Sequence, residues 1–270
     1  MTATESAGGI GTIPAAAVIA ACLSAQAGVS RRSRVARVFG RSPLTEDSKP
    51  WYLGALGELQ VAERLARLGP DWRVLHSVPI GERGSDIDHA VVGPAGIFTI
   101  NTKFHEDARI WVGSTRLLVN GQKTDHLRNS RYEAQRVAKK LTAMAGEPIA
   151  VHPAIVLVGA RSVTFRERPA DVIVLRDTEL VRWLTRRAAT LDPGRRDRVA
   201  DMLTRPETLA TMSGTPADVD LPAFAALRHE VGAARRVRML WGTAVLLAGA
   251  ALAATVAINT YTALLGGWAG

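Results

Sequence analysis

Apolar positions change their spacing in an orderly way between Trp51 and about Arg187. In WYLGALGELQVAERLARLG, Leu59, Ala62, Leu65 and Ala66 recur at helical intervals until Gly69-Pro70 stops them. WRVLHSV then predicts a strand and GERGS a turn, after which Asp86 to Val92 and Ile97 to Lys103 predict two strands joined across Gly93-Pro94-Ala95-Gly96. RIWV and RLLVNG predict further short strands with Asn120-Gly121 as a turn. Helical spacing returns from about Asn129 to Ala145, where Tyr132, Val137, Leu141 and Met144 mark one side. HPAIVLVGA is a continuous apolar run suited to a strand covered on both faces, DVIVL is a second, and Asp177 is placed to cap a helix over TELVRWLTRRA. Helix, three or more strands, helix, two strands, helix: this order predicts an α/β fold with a mixed central sheet flanked by helices.

The flanks read differently. Residues 1–50 contain IPAAAVIAACLSAQA followed by RRSRVARVFGR, with Glu5 before the apolar run and the arginines after it, the reverse of a secretory signal. They are expected to form a poorly ordered basic arm or a short amphipathic helix lying on something else. Residues 51–190 hold the α/β domain, and 191–238 are expected to be a helical linker. Residues 239–265 predict a transmembrane helix: from Met239 to Gly270 no residue is charged, and about 20 apolar positions span a bilayer. Arg235, Arg236 and Arg238 immediately precede this run, so the large N-terminal part is expected on the cytoplasmic side of a single-pass membrane protein. Gly242, Gly249, Ala250 and Ala253 are small enough for helix pairing, which leaves a homo-oligomer open.

Charge changes the picture in one respect. Thirty-four lysines and arginines against 25 acids give a formal charge of +9, which favours polyanionic partners, either nucleic acid or anionic lipid. Cys22 is the only cysteine, which excludes an intrachain disulfide and a cysteine-based zinc site. The six histidines show no HExxH or paired spacing.

The hairpin strands carry polar residues where charge is costly to bury. If the connection is symmetric about Pro94 and Ala95, Val92 lies opposite Ile97, Asp88 opposite Asn101 and Asp86 opposite Lys103. Alternation then turns Asp86, Asp88, Asn101 and Lys103 to one face. Glu58 borders the apolar stripe of the first helix and leans toward the same sheet. Such a set can hold a hard, oxygen-seeking cation and steady a phosphate beside it. The alternative is plain ion pairing of Asp86 with Lys103, a turn-capping Asp88 and a surface Glu58.

GELQVAERLARLGPDWRVLHSVPIGERGSDIDHAVVGPAGIFTINTK and the following NGQKTDHLRNSRYEAQRVAKKL resemble the NERD family, the nuclease-related domain, from Trp51 to Leu184. The resemblance rests on the Gly57-Glu58 pair, the Asp88-His89 step, the Gly-Pro-x-Gly turn and the Thr102-Lys103 ending. It implies a restriction-endonuclease-like fold in which acids on helix and strand bind Mg²⁺ or Mn²⁺ for phosphodiester hydrolysis. Residue by residue, it assigns the first acid to Asp88, the lysine to Lys103, the helix acid to Glu58 and a helix glutamine to Gln135. The family pattern commonly has glutamate two residues before the lysine, where this chain has Asn101, an uncharged ligand that lowers metal affinity. Phosphates are expected to meet Arg109, Arg116, Arg128 and Arg131. Three readings follow: a membrane-anchored metal-dependent nuclease, an inactive nucleic-acid-binding module, or a scaffold for other proteins.

Overall fold

The computed structural model describes residues 13–30, 32–79, 86–204 and 219–266. The predicted GERGS turn, the first twelve residues and most of the stretch after Thr204 lie outside the described residues. The chain divides into two compact units, Met1–Cys22 with Lys49–Val219, and Leu23–Ser48 with Asp220–Gly270.

The first unit is mixed α/β, as the periodicity predicts, with two sheets where one was expected. Helix α1 (Ala16–Gln26) begins in it, and α3 (Ser48–Leu65) leads into strands β1 (Arg73–Pro79), β2 (Asp86–Gly93) and β3 (Gly96–Phe104). A small second sheet follows, with β4 (Arg109–Val112), β5 (Leu117–Val119) and β6 (Gln122–Thr124), before α4 (His126–Ala145). Strands β7 (His152–Val158), β8 (Ser162–Phe165) and β9 (Ile173–Arg176) and helices α5 (Leu180–Thr185) and α6 (Pro193–Thr204) complete it. The main sheet runs β1-β2-β3-β7-β9 and the smaller one β6-β5-β4-β8. Val92 pairs with Ile97 and His89 with Ile100, the register expected from the tight turn. Strand β7 joins β3 in parallel, Phe98 against His152 and Lys103 against Leu157.

Helices cover both faces of the main sheet. On one, Val61 and Leu65 of α3 pack with Val91, Phe98, Ile100 and Val156. On the other, Val137 and Leu141 of α4 and Val199 and Leu203 of α6 pack with Ala90, Val92 and Ile97. Residues 191–204 are thus part of the core and not a linker. Val199, Ala200 and Leu203 form the buried strip that docks α6 on the sheet, while most of its other positions are polar and exposed or half-buried. Nor is the N-terminal region a loose arm throughout: Ala15, Ile19 and Cys22 are fully buried, and the Ala16 amide donates to Ser77 Oγ at 3.0 Å. Its uniformly apolar sequence hides which side faces inward, because a helix buried on most sides has no polar stripe.

Asp177 does not cap α5; Glu179 holds that position. Asp177 is buried instead, accepting from Gln60 Nε2 at 2.9 Å and pairing with Arg64 at 3.2 Å, which ties α3 to the end of β9.

In the second unit, α2 (Arg34–Val38) precedes α7 (Leu221–Gly266), a continuous helix of 46 residues. The predicted span 239–265 is therefore the distal part of a longer rod. One helix among the described residues is long and apolar enough to cross a membrane, and its apolar window is wholly exposed.

Candidate functional site

Asp88 sits where the main sheet comes apart. On one side the pairing passes from His76–His89 to Val78–Ile87, and the Ser77 backbone between them takes a left-handed φ of 47°. On the other side the β2–β3 ladder ends at His89–Ile100. Beyond it the Asp88 carboxylate replaces the strand: Oδ2 accepts the backbone N–H of Thr102. A buried carboxylate thereby stitches the splayed end of the hairpin, which explains why the Asp-x-Asp stretch interrupts an apolar strand.

Asn101 projects toward α4. Its Nδ2 donates to both oxygens of Glu133, at 2.9 and 2.8 Å, and its Oδ1 is buried with no partner. Glu58 arrives from α3, packed on the opposite face of the sheet, and is only 6 % exposed, with Oε2 buried and unpartnered. Gly57 makes that approach feasible. A Cβ there would lie 2.9 Å from Phe104 Cβ and 3.3 Å from Thr102 Cγ2, so α3 rests on β3 at a distance only glycine permits.

The carboxyls influence one another strongly. Burial first, then the charges of Asp88 and Asp86, hold the Glu58 carboxyl well above the usual range, while Lys103 acts the other way. Asp86 is pushed up to about 6, chiefly by burial and then by Asp88. Burial also raises Asp88, opposed by Lys103 and by the bonds from Thr102. Glu133 is pushed up to about 7, by burial first, with the Asn101 bond and Lys103 opposing and Asp88 and Asp86 reinforcing the rise. Lys103 forms no ion pair among the described residues, so the simple Asp86–Lys103 pair that the sequence left open is not formed.

The structure thus brings Glu58, Asp86, Asp88, Asn101 and Lys103 to one end of the hairpin, and it adds Glu133. Gln135 does not join them; it is exposed on α4. Two residues along a helix is a turn of about 200°, so Glu133 and Gln135 cannot share a side. Glu133 was legible in principle, since it lies three residues after buried Ser130 and four before buried Val137. Of the arginines expected to meet phosphate, Arg128 pairs with Asp125 at 3.0 Å and Arg131 with Asp171 at 2.6 Å, while Arg109 and Arg116 are exposed. Two imidazoles also stand near Lys103: His105 and His126 stack at 5.5 Å, each with a buried, unpartnered Nε2, and His126 is pushed down to about 4 by burial and then by Lys103.

Among the described residues, no three His, Cys, Asp or Glu side chains gather closely enough to enclose a metal by themselves. A zinc-type closed site is therefore not built from them. A cavity of about 300 Å³ lies at the other end of the sheet, lined by His152, Phe165, Arg168 and Trp183, away from the acids.

Residues 53–158 match the family described as nuclease-related domain, NERD. No curated protein and no solved structure matched the chain. The matched segment runs from α3 to the end of β7 and includes the splayed hairpin and α4. Residues 53–158 are thus similar to the nuclease-related domain, and the acids at the end of the hairpin lie within the matched segment.

Proposed function

We propose that the protein is a membrane-anchored nuclease that hydrolyses phosphodiester bonds of nucleic acid with Mg²⁺ or Mn²⁺ held at Glu58, Asp88 and Asn101. The observation that carries this reading is the convergence of buried Glu58 and half-buried Glu133, from two helices, on a hairpin end whose Lys103 forms no ion pair among the described residues. Two buried oxygens without partners, Glu58 Oε2 and Asn101 Oδ1, are donors a hard cation would take up. Magnesium keeps several waters and uses one or two carboxylates, which Glu58 and Asp88 would supply. When bound, the ion supplies charge stabilisation for the phosphate and a more acidic water.

The chain's own residues do the rest. The Thr102 N–H fixes the Asp88 carboxylate, and Glu133 holds the Asn101 amide by both oxygens, turning Oδ1 away from itself. Glu133 also restores a negative charge beside a position where Asn101 brings none. With its pKa near 7, Glu133 is poised to accept a proton from attacking water at neutral pH. Lys103 offsets negative charge that develops on the phosphate. Arg235, Arg236 and Arg238 before the uncharged part of α7 support a cytoplasmic orientation of the domain under the positive-inside rule.

Asn101 favours a second reading, a module that binds nucleic acid without cutting it. One assay separates the two. Full-length protein in detergent is incubated with DNA and with RNA, with Mg²⁺, Mn²⁺ or chelator, alongside Asp88→Ala and Lys103→Ala. Cleavage that needs the metal and is lost in both variants is expected for the nuclease. Salt-sensitive binding without cleavage supports the second reading, and cleavage undiminished in both variants contradicts the assigned site.

A further inference from the structure

We infer that residues 33–41 form a second membrane-contacting element, a short interfacial anchor that presses an apolar face into the bilayer surface and binds anionic phospholipid headgroups. The inference rests on the membrane reading of α7 and extends it to a part of the chain outside the apolar run. Helix α2 is capped by Ser33, whose Oγ accepts the Ala36 N–H at 3.1 Å. Val35, Val38 and Phe39 fall at i, i+3 and i+4, the spacing of a single helical side, and are 66 %, 56 % and 58 % exposed. Arg34, Arg37 and Arg41 are exposed beside them.

Contacts within the second unit fix where this face stands along α7. Phe39 stacks on Trp241 at 5.7 Å between ring centroids, and Trp241 Nε1 donates to the Val38 carbonyl at 2.7 Å. Arg238 donates to the Gly40 carbonyl at 3.3 Å, and Arg32 pairs with Glu230 at 3.3 Å. Gly40, at φ 64°, lies so near α7 that a Cβ would come within 2.7 Å of the Ala234 carbonyl oxygen. The apolar face of α2 is therefore held level with Trp241, three residues after the last charged residue of the rod, Arg238.

That level has a physical meaning. From Met239 to Tyr261 α7 carries no charge, and at 1.5 Å per residue this stretch is about 34 Å long, near the thickness of a bilayer's hydrocarbon core. Tryptophan near the boundary of such a span belongs to the headgroup region. Val35, Val38 and Phe39, costly to expose to water, are continuous there with an apolar surface that lipid already covers. Arg34, Arg37 and Arg41, with Arg236 and Arg238 on the rod, then meet phosphate oxygens at the same depth, which is a match to anionic lipid. Nucleic acid would satisfy the arginines but leave the three apolar side chains in water, so lipid is the better fit.

The test uses the full chain reconstituted in nanodiscs of phosphatidylcholine alone or mixed with phosphatidylglycerol. With buried Cys22 replaced by serine, a single cysteine at position 35 carries an environment-sensitive fluorophore, and the same label at position 245 serves as the control within the span. The label at 35 is expected to be quenched by lipids brominated near the headgroup and shielded from aqueous iodide. Arg34→Gln with Arg37→Gln is expected to lower the preference for phosphatidylglycerol around the protein at least about twofold. Free access of iodide to position 35, while 245 remains lipid-quenched, would overturn the anchor and leave the span intact. Loss of lipid quenching at both positions would overturn the membrane reading itself. Shielding at 35 that appears only when polynucleotide is added would also overturn the proposal.

Discussion

At the scale of the residue, the acids of the hairpin end are arranged at a cost to the fold. Glu133 ionises near 7 and Asp86 near 6 in the folded chain, above their ordinary values of 4.5 and 3.8. Between those values the folded state holds more protons than the unfolded one, so their contribution to stability is present at low pH and is lost as pH rises toward 7. His76, His89 and His126, held down by burial, contribute oppositely, losing stability as pH falls below about 6.5. The difference between wild type and Glu133→Gln removes the other groups from the comparison. In denaturant melts from pH 5 to pH 8, the variant is expected to gain stability relative to wild type as pH rises, and a constant difference would contradict the shifted carboxyl. Glu58→Gln is expected to stabilise metal-free protein at pH 8 by on the order of 1–2 kcal/mol while reducing metal-dependent cleavage at least about tenfold. Thermal melts and initial rates on the same preparation check both halves. Strand alternation and a four-residue turn bring Asp88, Asn101 and Lys103 to the same end of the hairpin, but the expected pairs Asp88–Asn101 and Asp86–Lys103 are not formed, because the β2–β3 ladder ends at His89–Ile100 and Asp88 bonds the Thr102 N–H instead. The sequence did not carry Glu133, since one acid at the border of a helical stripe cannot be told from a solvated one until the facing residue is known.

At the scale of the element, Gly57 is the point where α3 and β3 set each other's position. Gly57→Ala places a methyl against Phe104 and Thr102 that neither backbone can avoid. It is expected to cost about 1–3 kcal/mol and to lift Glu58 away from the hairpin, lowering cleavage and metal affinity together. A melt with unchanged midpoint and full activity would show that the close approach is unimportant. Secondary elements with a clear period were legible throughout: α3, the three antiparallel strands, α4 with its C-terminal Gly146, and the buried β7. The rest escaped for separate reasons. Strand β8 pairs only with β4 and has too few buried residues to announce itself, α6 buries a narrow strip of a polar helix, and α1 is apolar on every side.

At the scale of the whole molecule, the long helix α7 and the segment similar to the nuclease-related domain make independent claims. Alkaline carbonate washing of membranes from cells expressing the full chain is expected to leave it in the pellet, and exchanging Leu246, Leu247 and Leu252 for aspartate is expected to release it. Full release of wild type would contradict a spanning helix without touching the site. The site itself is tested most directly by calorimetric titration of Mg²⁺ into the detergent-solubilised full chain, wild type against Asp88→Ala, at pH 8. Wild type is expected to bind the ion and Asp88→Ala to bind at least about tenfold more weakly. Equal affinity in the two proteins, or no binding by wild type, would contradict a cation held by the buried acids.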